Sequence, residues 1–189
     1  MLKCFTTACL LALLPMSTLA APVIDVPSAS GDFTSSEDWG EFLSFDAPAT
    51  GQGLGIAGDL FADLQLNFNL AAPYSDANGL FTLTSGGIVV LDGMLSAIIP
   101  ENSGLSLMFT DIGGDLAPIF NDALMVELTF FEAFGDDPLT MLAAGNSYEF
   151  AYTVEGKSQP APVPLPAGGL LLFSSLGLLA LRQRRKPAL

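Results

Sequence analysis

Histidine is absent from this 189-residue sequence, and cysteine occurs only at Cys4 and Cys9. Basic residues are nearly as scarce. Lys157 is the only one between residues 21 and 159, whereas all 20 Asp and Glu lie there, so this body carries a formal charge of −19. The absence of His, Cys and Arg from the body excludes most catalytic triads, dyads and zinc sites. The negative charge disfavours nucleic acid as a partner.

The remaining side chains give little basis for catalysis. A Ser–Lys pair would have to use Lys157, which lies beside Ser158 in a short tether rather than in the folded body. A glycosidase needs only two carboxylates at a set separation, and with 20 available their presence discriminates nothing. We therefore predict a protein that is not an enzyme, with no catalytic residues and no cofactor.

The N-terminus has the three parts of a secretory signal peptide. Lys3 precedes a short apolar core over residues 8–16, and Thr18-Leu19-Ala20 forms a small-x-small site before Ala21. This apolar segment is too short to span a membrane, which requires about 20 residues. We predict export and cleavage by signal peptidase between Ala20 and Ala21. The exported chain then has no cysteine and forms no disulfide.

The rest of the chain divides by composition into four segments. Residues 21–40, rich in Ser, Asp and Pro, are predicted to be an extended lead-in, and residues 41–156 to be one folded domain. Residues 157–162 form a proline-containing tether. Residues 163–189 form a C-terminal signal.

A period of two dominates the folded segment. Between residues 60 and 70 apolar side chains alternate with more polar ones, and the same pattern recurs over 105–110, 124–130 and 148–155. We predict an all-β antiparallel β-sandwich of jelly-roll or Ig-like type. Its buried residues should include Leu64, Leu66, Phe68, Leu107, Val126, Leu128, Phe150 and Tyr152.

Two local signals refine this prediction. Asp92-Gly93, between two apolar runs, predicts a tight hairpin turn. Asp137 as N-cap, Pro138 at the first position and Gly145 as the stop predict one short helix.

Residues 53–58, Gly-Leu-Gly-Ile-Ala-Gly, match the dinucleotide fingerprint G-x-G-x-x-G. That fingerprint requires a following helix whose N-terminus holds the pyrophosphate. The next segment here has the period of a strand. We therefore interpret these glycines as a bend at a sheet corner.

Two ligand hypotheses remain open. Calcium prefers hard oxygen ligands, and turn carboxylates are available, although without the D-x-D-x-D spacing of an ion-wrapping loop, at Asp111, Asp115, Asp136 and Asp137. Trp39, beside Asp38 and Glu41, and Tyr74 could form a platform on which sugars stack. The favoured interpretation of the lone Trp39 is packing on the core.

The C-terminus combines a proline motif, an apolar run and a basic end. Residues 163–167 read Val-Pro-Leu-Pro-Ala, and Arg182 opens a basic tail over 182–189. Residues 165–181 are predicted to form a transmembrane helix, which at about 1.5 Å per residue would be about 25 Å long. Because a bilayer core is about 30 Å thick, such a span stops transfer but anchors weakly, with Arg182 on the cytoplasmic side.

These three parts in this order resemble the VPLPA variant of the PEP-CTERM sorting signals, which exosortases process. The resemblance covers residues 163–189 only. It implies export, transient anchoring in the inner membrane, cleavage by an exosortase-type protease, and release to the cell surface or an exopolysaccharide matrix. The sorting-signal residues that it implies are Val163, Pro164, Leu165, Pro166, Ala167, Arg182, Arg184 and Arg185.

Two function classes follow. The favoured one is an exported, non-catalytic cell-surface or extracellular-matrix protein processed through this signal. The alternative is a polysaccharide- or calcium-binding β-sandwich module held at the membrane by an uncleaved anchor.

Overall fold

Eight antiparallel strands form a closed barrel in the computed structural model, which describes residues 21–56 and 58–156. Each strand pairs with the next along the chain, and β8 pairs with β1 to close the sheet. The elements in order are β1 (Val23–Ser36), β2 (Trp39–Gln52), β3 (Leu60–Asn69), β4 (Ala77–Ser85), β5 (Ile88–Glu101), β6 (Gly104–Gly113), α1 (Ala117–Phe120), β7 (Leu124–Phe130), α2 (Pro138–Met141) and β8 (Asn146–Gly156).

The predicted β-sandwich is wrong, because the strands form one closed sheet rather than two stacked ones. A period of two reports only that one face of a strand is buried, which holds for both architectures. Closure removes the unpaired edges that a sandwich would leave. The helix predicted over residues 165–181 lies outside the described residues. Within the described part of the chain, no helix is long and apolar enough to cross a membrane.

The segment predicted as an extended lead-in, residues 21–40, contains a full barrel strand. β1 pairs with both β2 and β8, so the sheet closes through it. Its inward side chains include Ile24, Val26 and Phe33, all buried. Polar residues on the outer face dilute the apolar signal of this strand. The domain boundary predicted at residue 41 therefore separates β1 from the barrel to which it belongs.

The hairpin turn predicted at Asp92-Gly93 is also wrong, because both residues lie inside β5. The sheet register shifts between Asp92 and Met94, which marks a bulge that bends this 14-residue strand. The turn between β4 and β5 is formed instead by Gly86 and Gly87, whose φ angles are 58° and 78°. Two consecutive positive φ angles are what a two-residue hairpin requires, and glycine adopts them without steric cost.

The strand order gives the barrel two distinct ends. The Trp39 end, as we call it, carries the connections β1–β2, β3–β4, β5–β6 and β7–β8, the last of which includes α2. The terminal end carries the other connections, including α1, together with Val23 and Gly156. The predicted helix begins at Pro138 after Asp137 but ends at Met141, earlier than Gly145.

The barrel interior is filled by side chains. Large aromatic rings occupy it, including the eight fully buried residues Phe33, Phe42, Phe68, Phe81, Phe109, Phe120, Phe150 and Tyr152. Leu139 of α2 is buried at the Trp39 end, and Phe120 of α1 at the terminal end. The eight residues that the period of two predicts to be buried are all buried inside the barrel.

Two tyrosines on the inner face of β8 differ in their hydrogen bonding. The Tyr148 hydroxyl accepts a hydrogen bond of 2.7 Å from the backbone N–H of Ala143. The buried Tyr152 hydroxyl has no partner among the described residues. Burial, and then the negative charge of Asp63, raise the pKa of Tyr152 above its ordinary value. The neutral hydroxyl of Tyr152 is therefore held at a net cost to stability.

Replacing Tyr152 by phenylalanine is expected to raise the free energy of unfolding by about 1 kcal/mol, because it removes an unpartnered buried hydroxyl. The difference should widen above pH 10. In the unchanged protein the unfolded tyrosine ionises there while the folded one resists ionisation, so stability falls as pH rises. Urea denaturation at pH 7 and above pH 10 measures both effects.

The matched control is Tyr148→Phe on the same strand. It removes the acceptor for the Ala143 N–H and should lower the free energy of unfolding by about 1 kcal/mol. Equal effects of the two substitutions would contradict the assignment of an unpartnered hydroxyl to Tyr152.

Candidate functional site

The predicted processing residues lie almost entirely outside the described residues. This applies to the signal-cleavage residue Ala20 and to the sorting-signal residues Val163, Pro164, Leu165, Pro166, Ala167, Arg182, Arg184 and Arg185. Ala21 is described: it is exposed and precedes β1, which begins at Val23. Cleavage before Ala21 would leave the first strand of the barrel whole.

The four calcium candidates are not brought together. Asp111 and Asp115 lie near the C-terminal end of β6, at the terminal end of the barrel, whereas Asp136 and Asp137 precede α2 at the Trp39 end. No group of three or more carboxylates placed to hold a metal occurs within residues 21–56 and 58–156. The Asp137 carboxylate instead accepts a hydrogen bond from the Tyr74 hydroxyl.

The glycines of residues 53–58 lie in the connection between β2 and β3. The segment that follows them is the strand β3, beginning at Leu60, and not a helix. The helix N-terminus that would bind a pyrophosphate is therefore missing after this string.

Trp39 is on the outside of the barrel, with 42% of its surface exposed, so the prediction that it packs in the core is wrong. It is the first residue of β2, directly after the β1–β2 turn. Gly40 and Phe42 point inward on this strand, and successive side chains alternate between the two faces. This alternation places the Trp39 side chain on the outer face of the barrel. This outweighs the general tendency of a single tryptophan to be buried.

A shallow pocket of about 420 Å³ opens beside the Trp39 ring. Three strands build it in two cross-strand rows. Ser36 pairs with Trp39, and Thr34 pairs with Glu41, which in turn pairs with Asn67 of β3. The pocket is lined by Thr34, Ser35, Ser36, Trp39, Gly40, Glu41 and Asn67.

The lining combines one aromatic ring with small neutral polar groups and a single carboxylate. None of the side-chain hydrogen bonds within the described residues involves Thr34, Trp39 or Asn67, so these groups are free to bind a ligand. Residues 21–156 contain no Lys, Arg or His. The pocket therefore offers hydroxyl, amide and carboxylate groups but no cationic side chain for a phosphate or sulfate.

Tyr74 does not join Trp39 in one platform. Its hydroxyl donates to Asp137 and also accepts a 3.4 Å hydrogen bond from the backbone N–H of Leu139. Burial, and next the hydrogen bond to Asp137, raise the pKa of Tyr74 above its ordinary value. Tyr74 thus ties the β3–β4 connection to α2, while Trp39 stands alone as the aromatic residue of the pocket.

Sequence reasoning missed the polar part of this pocket. Thr34, Ser35 and Ser36 lie in the segment predicted to be an extended lead-in, residues 21–40, and Asn67 is one of the more polar residues of the alternating run between residues 60 and 70. The spacing of Trp39 and Phe42 does indicate that Trp39 faces outward. The two residues are three apart, so their side chains face opposite sides of a strand, and Phe42 faces the core. The partners of Trp39 on other strands follow only from the register of the sheet.

Comparison with protein-family models, with curated proteins and with solved structures finds no match to this chain. The functional interpretation therefore depends on the residues themselves. The pocket has no histidine, cysteine or lysine among its lining residues, and it is open to solvent. An exposed indole flanked by hydroxyls, an amide and a carboxylate is suited to binding a polar ligand that has one apolar face.

Proposed function

We propose that this chain is an exported, non-catalytic protein of the cell surface or extracellular matrix, delivered through a C-terminal exosortase-type sorting signal. One observation carries the proposal: the motif at 163–167, the apolar run after it and the basic tail from Arg182 follow one another in that order over residues 163–189. Each part alone is common, but the ordered combination is specific. The chain would be held at the inner membrane with its C-terminus in the cytoplasm until cleavage releases it.

The described body is consistent with an extracellular role. Its surface charge is negative throughout, since residues 21–156 contain all 20 acidic residues and no basic one. Such self-repulsion keeps a protein soluble outside the cell. The interior of the barrel is filled by aromatic and aliphatic side chains. Residues 21–156 contain no cysteine, so the barrel is held by this core and its backbone hydrogen bonds rather than by disulfides.

The positions of the barrel's two chain ends also support processing on both sides. Val23 pairs with Glu155 through the β1–β8 contact, so both chain ends leave from the terminal end. Removal of the signal peptide before Ala21 and cleavage within 163–167 would leave intact all eight strands of the described residues, which run from Val23 to Gly156. Neither step requires any part of the sheet to open.

The second candidate function is a polysaccharide-binding module that keeps an uncleaved anchor. The exposed Trp39 beside an open polar pocket favours ligand binding by this barrel. The calcium form of this alternative has less support, because its four candidate carboxylates are divided between the two barrel ends.

Replacing Pro164-Leu165-Pro166 by three alanines in the full precursor, expressed in its native host, is expected to abolish C-terminal cleavage. The apolar run stays long enough to stop transfer, so the uncleaved chain should accumulate in the membrane fraction. Intact-mass analysis of the membrane and released fractions measures this directly. The unchanged protein should be recovered from the surface without residues 170–189.

The matched control replaces Pro160 and Pro162, which lie just before the motif, by alanine. This variant changes the tether but not the signal, and it should be processed like the unchanged protein. Recovery of surface protein that still carries residues 170–189 would show a permanent anchor, and the sorting proposal would fail.

A further inference from the structure

We propose that the outer face of β1, β2 and β3 around Trp39 is a binding site for an uncharged polysaccharide. The proposal rests on the second candidate function, polysaccharide binding, and deepens it by naming the site and the class of polysaccharide; it does not depend on how the chain is sorted. It applies equally to a cleaved and an uncleaved chain. Trp39 provides the stacking surface, and Thr34, Glu41 and Asn67 provide the hydrogen-bonding groups.

The exposure of Trp39 is the first observation behind this site. A large aromatic ring that is 42% exposed leaves apolar area in water unless a ligand covers it. Sugar rings have one face lined by C–H groups, which packs on an indole, and an edge of hydroxyls, which does not. The indole N–H adds a donor at the rim of the same surface.

The polar groups beside the ring are the second observation. Thr34, Glu41 and Asn67 lie side by side on three adjacent strands. Neighbouring strands are about 4.8 Å apart, a spacing close to the length of one sugar unit in an extended chain. Each of the three side chains can therefore meet a different hydroxyl along a polysaccharide that runs across the strands. Glu41 accepts from hydroxyls, and Asn67 both donates and accepts.

Charge selects among polysaccharides. The barrel has no cationic side chain between residues 21 and 156, and Glu41 is negative within the pocket itself. A polymer that carries uronate, sulfate or phosphate groups would be repelled and would find no basic partner. An uncharged polysaccharide meets neither obstacle.

The chain contains a single tryptophan, so its fluorescence reports on this pocket alone. Full-length protein, in a detergent without a sugar headgroup, is titrated with cellohexaose, laminarihexaose, maltohexaose and the anionic oligogalacturonate. At least one neutral hexasaccharide should shift the Trp39 emission to shorter wavelength, because stacking removes water from the ring. Oligogalacturonate should leave the emission unchanged.

Substitutions test the assignment by isothermal titration calorimetry with the neutral oligosaccharide that binds. Trp39→Ala should weaken binding about tenfold or more, because the stacking surface is lost. Asn67→Ala and Glu41→Gln should each weaken it by a smaller factor. Phe45→Ala is the matched control: Phe45 is also exposed on β2, at 53%, but lies outside the pocket lining, and its loss should leave affinity unchanged.

Three results would overturn the proposal. One is an emission spectrum that no neutral hexasaccharide alters. Another is equal weakening by Trp39→Ala and Phe45→Ala, which would place binding elsewhere. The third is a change in sedimentation of Trp39→Ala without a change in oligosaccharide affinity, which would make this face a contact between copies of the chain. None of these outcomes bears on the sorting signal, which is tested by cleavage in cells.

Discussion

Replacing Phe130 by alanine is expected to lower the free energy of unfolding by about 3–5 kcal/mol. Phe130 ends β7, and only 3% of it is exposed. Its ring packs against four other aromatic rings, with centroid distances of 5.9 Å to Phe42, 5.1 Å to Phe134, 6.5 Å to Tyr148 and 6.0 Å to Phe150. Truncation leaves a cavity that these rigid rings fill poorly.

The matched control is the adjacent residue. Phe131 is 57% exposed, and Phe131→Ala leaves its backbone hydrogen bond to the Glu149 carbonyl in place. We expect this variant to stay within about 0.5 kcal/mol of the unchanged protein. Urea denaturation measures the free energy of unfolding of both variants. The slope of that free energy against urea concentration should be unchanged in each. Similar losses for the two would contradict the placement of Phe130 inside the barrel and Phe131 outside it.

Replacing Gly114 by alanine is expected to lower the free energy of unfolding by about 2–4 kcal/mol, for two reasons that add together. Its φ angle of 90° is one that side chains with a Cβ rarely adopt. An added Cβ would also lie 2.5 Å from the carbonyl oxygen of Val90. That oxygen accepts a 2.9 Å hydrogen bond from Leu116, so backbone movement there would weaken the connection that leads into α1.

Gly135→Ala separates the two reasons. Gly135 also has a positive φ, of 69°, but a Cβ there would meet nothing within 4 Å. This variant should lose only about 1–2 kcal/mol, the cost of the backbone conformation. Thermal unfolding of the two variants under the same conditions provides the comparison. Equal losses would mean that the close approach to Val90 contributes nothing.

The sequence predicted individual strands better than their arrangement. The alternation through Leu64, Leu66 and Phe68 identified the inner face of β3 correctly, because a half-buried strand leaves that pattern in any fold. Closure into a barrel depends on β1 pairing with β8, about 120 residues away along the chain, and no local pattern encodes that contact. Asp92-Gly93 failed as a turn because the same dipeptide also suits a bulge within a long strand.

The candidate site was predictable in part. The sequence identified Trp39 and Glu41 as neighbours, and the opposite parity of Trp39 and Phe42 was available to place the ring outside. It could not exclude Tyr74 from the platform, because the hydrogen bond from Tyr74 to Asp137 joins two separate connections of the barrel. The sequence could not identify Thr34 or Asn67 as part of the site. These residues lie beside Glu41 only because β1 and β3 pair with β2 in the sheet.

The sequence by itself determined the chemistry available to this protein: an acidic body without histidine, cysteine or arginine, and strands with one apolar face each. These properties belong to residue types and to a spacing of two, which act locally. Only the tertiary structure decided that the strands close into a barrel and that Thr34, Trp39 and Asn67 share one outer surface. Cross-strand neighbours are set by backbone hydrogen-bond register between distant segments, which the composition of any one strand leaves open.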